Sequence, residues 1–247
     1  MDRARLDALD ASGYEVLDAL SHVRAPPQGS HATPHAFVAV DGKIYWVKAQ
    51  AQRGLVNELI GGRLASAVGV GPMARIVRVP AEALPADGSA NHLKGTNVGL
   101  EDLTGTLNAR ELQLFGVTTL DPAKVSVGDR ALVVAFHSWT ASNDAQVLLN
   151  LQTGRVHTID FGDSFSDVAD EPGLIVLDLP GIDAQHGRAA AESACERIEG
   201  VTDEQILQAV ARVPWGDGWG ASPDMRLALA QRLVDRRSKV RGVMMLW

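Results

Sequence analysis

Two apolar runs in "AFVAVDGKIYWVKA" flank Asp41-Gly42, a dipeptide suited to the tight turn of a two-stranded hairpin. Alternation along the second run sets Ile44, Trp46 and Lys48 on one face and Tyr45 and Val47 on the other. The period then lengthens. In "RGLVNELIGGRLASAVGVGP", Ile60, Leu64 and Val68 recur every four residues with Leu55 and Leu59 beside them. That spacing predicts a helix, which Gly69 and Gly71-Pro72 stop. Glu58 shares a stripe with Leu55, Gly62 and Ala65, so a carboxylate lies among small residues where another backbone can approach. "ARIVRVP" predicts a further strand.

Upstream, residues 3–20 suggest a short helix interrupted at Gly13, followed by a polar loop over residues 25–35. Residues 85–97 are polar and turn-rich, and they mark the expected boundary between two parts of the chain. Beyond them come a helical stretch near 109–115, the buried-looking run "ALVVAFHSW", and a second hairpin in "VLLNLQTGRVHTID" with its turn at Thr153-Gly154. Thr202 and Gln205 fit a capping box, and Ser222-Pro223 opens a helix expected to run to about residue 245. Strands first and helices last predict an α+β protein in two lobes. The expected division is a β-rich N-terminal lobe with one main helix (residues 1–90) and a mostly helical C-terminal lobe (residues 91–247).

Composition narrows the function classes. With 247 residues, 46% of them hydrophobic and 21% charged, the chain buries a substantial core. Lys plus Arg is 23 against 30 Asp plus Glu, a net charge of −7. This gives no electrostatic case for general nucleic-acid or anionic-membrane binding. One cysteine, Cys195, excludes an internal disulfide and a thiolate metal cage. "MDRARLDALD" lacks the apolar core of a secretion signal. No apolar run approaches the ~20 residues of a membrane span. A cytoplasmic protein is expected.

The stretch "HTIDFGDSF" ends an apolar strand with an acid and Phe-Gly. An ordinary strand ends so in an ordinary turn, and a kinase presents its metal-binding Asp in the same way. Phosphoryl transfer needs a cation on the phosphates, a metal held by carboxylates and a group that positions the nucleophile. Lys48 ends the strand "IYWVK", Glu58 sits in the next helix, and Asp160 closes the second hairpin. Order and element types match a kinase: Lys48 on the phosphates, Glu58 orienting it, and Asp160 holding Mg²⁺ through hard carboxylate oxygens.

Three segments, "YWVKA…LVNELIGGRLASAVGVGP", "FHSWTASNDAQVLLN" and "TIDFGDSF", resemble the HipA-related kinases of bacteria. The likeness runs from about Gly29 to Phe165, and its most specific part is the "VNELIGGRLASAVGV" helix. It implies a fold related to protein and phosphatidylinositol kinases, with ATP and Mg²⁺ as cofactors contacted by Lys48 and Asp160. The phosphate loop would be "QGSHATPH", with Gly29, Ser30 and Thr33 offering backbone amides and hydroxyls to phosphate; it has one glycine and no GxGxxG pattern. The catalytic loop departs further. Aligned from Trp139, Asp144 takes the place of the catalytic Asp. Aligned back from "VLL", Gln146 takes that of the metal-binding Asn, and the catalytic position falls on Ala141. No Arg follows Asp144. Asp144 is the candidate base or orienting residue and Gln146 the candidate second metal ligand.

An ATP- and Mg²⁺-dependent phosphotransferase is therefore expected, acting on a hydroxyl of a protein Ser/Thr or a small molecule. A pseudokinase that senses nucleotide or binds protein competes with it, favoured by the catalytic loop, in which the two alignments both hold only if the loop is about four residues shorter than the family's. Asp163 is read as a solvated turn acid, and His137 and His157 as structural imidazoles. "WGDGWG" (residues 215–220) is read as a turn whose Trp residues plug the core, and "RLVDRRSKVR" as the solvated face of the last helix.

Overall fold

Gly42 takes a φ of 80°, the left-handed conformation that favours glycine. Across it β2 (His35–Ala39) and β3 (Ile44–Lys48) pair antiparallel. The computed structural model describes residues 1–25, 34–50, 52–142, 146–165, 177, 179–181, 187–214 and 219–245. Among them α2 (Gln52–Val68) follows β3, and β4 (Ala74–Val79) follows α2, as the periodicities require. Gly69 (φ 80°) ends α2.

The N-terminal segment corrects the expected single interrupted helix. α1 (Arg3–Ala11) is capped by the Asp2 carboxylate, which accepts from the amides of Ala4 and Arg5. Past Gly13 the chain instead forms β1 (Val16–Arg24). Its buried residues, Leu17 and Ala19, are two apart, a strand period that the helical spacing of Leu6 and Leu9 masks in the sequence. β1 pairs antiparallel with β2 and parallel with β4. β5 (Gly95–Glu101) emerges from the polar stretch read as a boundary, and pairs with both β3 and β4. The order β1-β2-β3-β5-β4 closes into a barrel, so the expected β-rich part is a closed sheet. Phe37, Tyr45, Val47, Val77 and Leu93 fill its interior.

A second sheet, β6 (Thr106–Asn108), β7 (Gln146–Asn150) and β8 (Val156–Ile159), contains the predicted Thr153-Gly154 hairpin. α3 (Ala109–Leu114) opens with a capping box between Asn108 and Glu111. α4 (Val127–Thr140) is buried at every residue from Arg130 to Thr140. A helix covered all round is a central one, and each large side chain so buried contributes about 1.5–3 kcal/mol. Around it pack α5 (Gly187–Glu199), α7 (Pro223–Arg237) and α8 (Val240–Met244), while α6 (Asp203–Val210) packs on α2 and α7. The last predicted helix is thus two, parted at Ser238-Lys239. No helix among the described residues is long and apolar enough to cross a membrane.

The basic C-terminal run is not a solvated face throughout. Arg236 is buried and donates to the carbonyls of Trp139 (3.0 Å) and Ser138 (2.7 Å), closing the C-terminal end of α4. Arg197 does the same for Val68 at the end of α2, and Arg63 donates to Ala209 and Ala211 at the end of α6. Guanidinium groups satisfy carbonyls that a helix end leaves without partners. Cys195 is buried in the main core. Trp219 is buried too, while residues 215–218 of "WGDGWG" lie outside the described residues.

Candidate active site

Three predicted residues converge. Lys48 leaves the end of β3 only 9% exposed, and Glu58 on the facing side of α2 is 1% exposed. Lys48 Nζ lies 3.2 Å from Glu58 Oε2 and donates to Asp160, which follows directly on β8. With its amide turned to satisfy both ends, Gln50 accepts from Lys48 Nζ at 2.7 Å and donates to the Gly54 carbonyl at 2.8 Å. Burial works against the charge of Lys48, but Glu58 and Asp160 outweigh it and hold the ammonium above its usual range. Glu58 is pushed up, chiefly by burial, against the pull of Lys48. Both shifts come from one arrangement, in which a single ammonium serves two carboxylates and the deeper carboxylate loses more hydration.

Asp160 has φ 64° and Phe165 φ 63°, a left-handed backbone at both ends of the turn, where L-residues are strained. The strain is held from several sides. The Phe161 amide donates to Glu58 Oε2 at 2.9 Å, and Asn57 Nδ2 donates to the carbonyls of Gly162 (2.9 Å) and Ser164 (2.8 Å). The Phe165 amide donates to Thr140 at the end of α4 at 2.8 Å. Phe161 is fully buried, edge-on to Phe136. It fits because Gly61 has no side chain: a Cβ there would stand 2.4 Å from the Cβ of Phe161. Gly62, in the stripe read beside Glu58, admits Ala74 in the same way, while Gly61 lies next to that stripe and was not singled out.

Gln146 opens β7 directly opposite Ile159, the residue before Asp160. Asp163 is exposed, as a turn acid should be. Gly29, Ser30 and Thr33 of the expected phosphate loop, and Asp144, lie outside the described residues. Gln50 and Asn57 were not predicted. Nothing in the sequence marks Gln50. Asn57 stands inside "VNEL", next to Glu58, but only the fold reveals that its side chain turns to the "DFG" segment.

His137 is fully buried behind the site, and its pKa is lowered to about 3 by burial. Thr158 Oγ1 donates its one hydrogen to the Gln146 carbonyl at 3.1 Å, so it accepts from His137 Nε2–H, and the ring is neutral. A histidine whose folded pKa is depressed contributes stability that is lost as pH falls below its unfolded value near 6.5. Acidification to pH 5 is therefore expected to remove about 2 kcal/mol through this one group. Urea unfolding of wild type and His137→Gln at pH 7 and 5 checks it: the variant should lose less stability between the two, and an equal loss refutes the assignment.

No protein-family model matches the chain, and no curated protein matches it. Among solved structures, the Helicobacter pylori proinflammatory kinase CtkA superposes with a TM-score of 0.57, covering 94% of this chain and 98% of that one at 12% identity. The fold is kinase-like. The Golgi casein kinase gives a TM-score of 0.44 at 9% identity, covering 98% of this chain and 75% of that chain. Its structure with Mn/ADP bound gives 0.42 at 9% identity, covering 98% of this chain and 76% of that chain.

Proposed function

We propose that this chain is an ATP- and Mg²⁺-dependent phosphotransferase of the HipA-like kind, moving the γ-phosphate to a hydroxyl of a protein or small molecule. The observation that supports it most is Lys48 held between Glu58 and Asp160 at the junction of β3, α2 and β8. The sequence puts the lobe boundary after residue 90; because β5 pairs with β3 and β4, this reading moves it past Glu101. The donor set suits a hard cation: Mg²⁺ takes one or two protein oxygens and completes its shell with phosphate and water. Asp160, with 28% of its side chain exposed, is reachable from solvent, and the Gln146 amide oxygen is the second candidate ligand. When bound, the metal neutralises charge on the phosphate oxygens.

The chain's own residues then divide the work. Lys48 exchanges part of its contact with Asp160 for phosphate oxygens, remaining cationic because Glu58 stays beside it. Glu58 keeps the ammonium aimed and, through the Phe161 amide, ties it to the turn that presents Asp160. Gly29, Ser30 and Thr33 cover the phosphates, and Asp144 orients the acceptor hydroxyl.

The test is thermal unfolding of wild type and Asp160→Asn, each with and without ATP and Mg²⁺. A ligand at a hundredfold excess over its Kd adds about 2.7 kcal/mol to stability. A Mg²⁺-dependent rise in wild type that Asp160→Asn lacks is the expected result, and no rise in either protein overturns the reading. A pseudokinase is the second reading, favoured by the short loop "WTASNDAQVLL". It predicts the same nucleotide binding with no turnover, and wild-type transfer by Asp144→Ala would separate that residue from the chemistry.

A further inference from the structure

The Asp160 turn has a holder that phosphate chemistry alone does not call for. Asn57 is 8% exposed, and both hydrogens of its amide are spent on one short segment, the Gly162 carbonyl at 2.9 Å and the Ser164 carbonyl at 2.8 Å. These carbonyls lie between two residues with left-handed backbone, Asp160 and Phe165. A strained turn persists only where its surroundings over-determine it. Within the turn the Ser164 amide donates to the Phe161 carbonyl at 2.9 Å, which leaves the carbonyls of Gly162 and Ser164 for Asn57 to satisfy. Asn57 sits one residue from Glu58, which binds the Phe161 amide. One turn of α2 thus grips the segment at Phe161, Gly162 and Ser164.

We infer that Asn57 is a positioning residue for the metal ligand: its amide fixes the turn that aims the Asp160 carboxylate and makes α2 and that turn a single moving part. The inference rests on the kinase reading, in which Asp160 holds Mg²⁺. It has a consequence for how such a site switches. Because α2 holds Lys48 through Glu58 and the Asp160 turn through Asn57, displacing the helix disarms cation and metal ligand together. Loss of the Asn57 amide should uncouple them, leaving Lys48 in place beside Glu58 while the turn loosens.

The experiment uses the full chain with Asn57→Ala and, as a milder change that puts a small hydroxyl in place of the amide, Asn57→Ser. Hydrogen exchange of residues 161–165 is measured without ligand, and the thermal shift with ATP is measured in EDTA and across a Mg²⁺ titration. Exchange of the turn should rise about tenfold, as expected for losing one or two net hydrogen bonds. The Mg²⁺ concentration for half the metal-dependent shift should rise at least about fivefold, while the shift with ATP in EDTA stays that of wild type. A lesion that merely destabilised the fold would move the EDTA shift as well. Wild-type exchange in either folded variant overturns the inference, and so does faster exchange with an unchanged Mg²⁺ midpoint. A wild type with no Mg²⁺-dependent shift overturns the kinase reading, and this inference with it. That failure is distinguishable because it shows in the wild type.

Discussion

Lys48→Met is expected, under the proposed function, to lower phosphotransfer by on the order of 10²–10³-fold and to change how the protein's stability responds to pH. The ammonium is the charge shared by Glu58 and Asp160. Removing one partner of a buried ion pair costs about 3–5 kcal/mol, because the remaining charge has neither water nor counter-ion. Glu58 has a way out, which is to bind a proton. Burial already raises its pKa and Lys48 opposes that rise, so without Lys48 the folded pKa climbs further. A carboxyl whose folded pKa exceeds its unfolded value contributes stability below the unfolded pKa and loses it as pH rises through the folded one. The Lys48→Met penalty should therefore be small near pH 5 and grow toward pH 8. Urea unfolding of both proteins at the two pH values measures it. A penalty that does not change with pH would mean that Glu58 stays ionised without its partner.

Gly61→Ala should also damage the protein, against the usual trend. In an exposed helix interior this change gains up to about 1 kcal/mol from helix propensity. Here the new methyl would meet Phe161 Cβ at 2.4 Å, and Phe161 is fully buried. Overpacking of this kind costs about 1–3 kcal/mol, so a net loss of about 1–2 kcal/mol is expected. The functional loss should exceed it, since the displaced residue adjoins Asp160. A double-mutant cycle with Phe161→Gly, which removes the Cβ and Cγ that the methyl would meet at 2.4 and 2.6 Å, reads the contact directly. If Gly61→Ala costs as much stability in that background as in the wild type, the contact is not the cause.

Much of this site could be read before any fold was known, and the reason is local. Lys48 ends an alternating strand, Glu58 stands in a helix of clear period, and Asp160 closes a hairpin with its own turn signal, so each element announces itself over a few residues. The limits have physical causes too. β1 follows α1 so closely that the apolar positions of one period run into those of the other, and β5 begins inside a polar, glycine-bearing stretch. Barrel closure depends on β1 meeting β4, a pairing between segments that no short window contains. The partners of Gln50 and Asn57 are equally remote: a side-chain amide carries no periodicity, and what it donates to is decided only when two elements pack. Arg236 misled for a related reason, since a guanidinium looks solvated in a sequence whether it meets water or the carbonyls of another helix.

The first residues of the chain bear on how the molecule is made. β1 supplies the last seam of the barrel, while α1, just before it, docks on α6 and α7. Arg5 pairs with Glu204, and Asp10 receives the buried Arg226 and the Arg212 amide. During synthesis the barrel strands leave the ribosome well before the helices that anchor α1 exist. The N-terminal segment must wait, with β1 held only by its strand neighbours, until α7 has emerged. Docking of α1 then waits for α7, and a nascent chain stalled before residue 223 should leave the segment around α1 open to proteases that cannot cut it once α7 is in place.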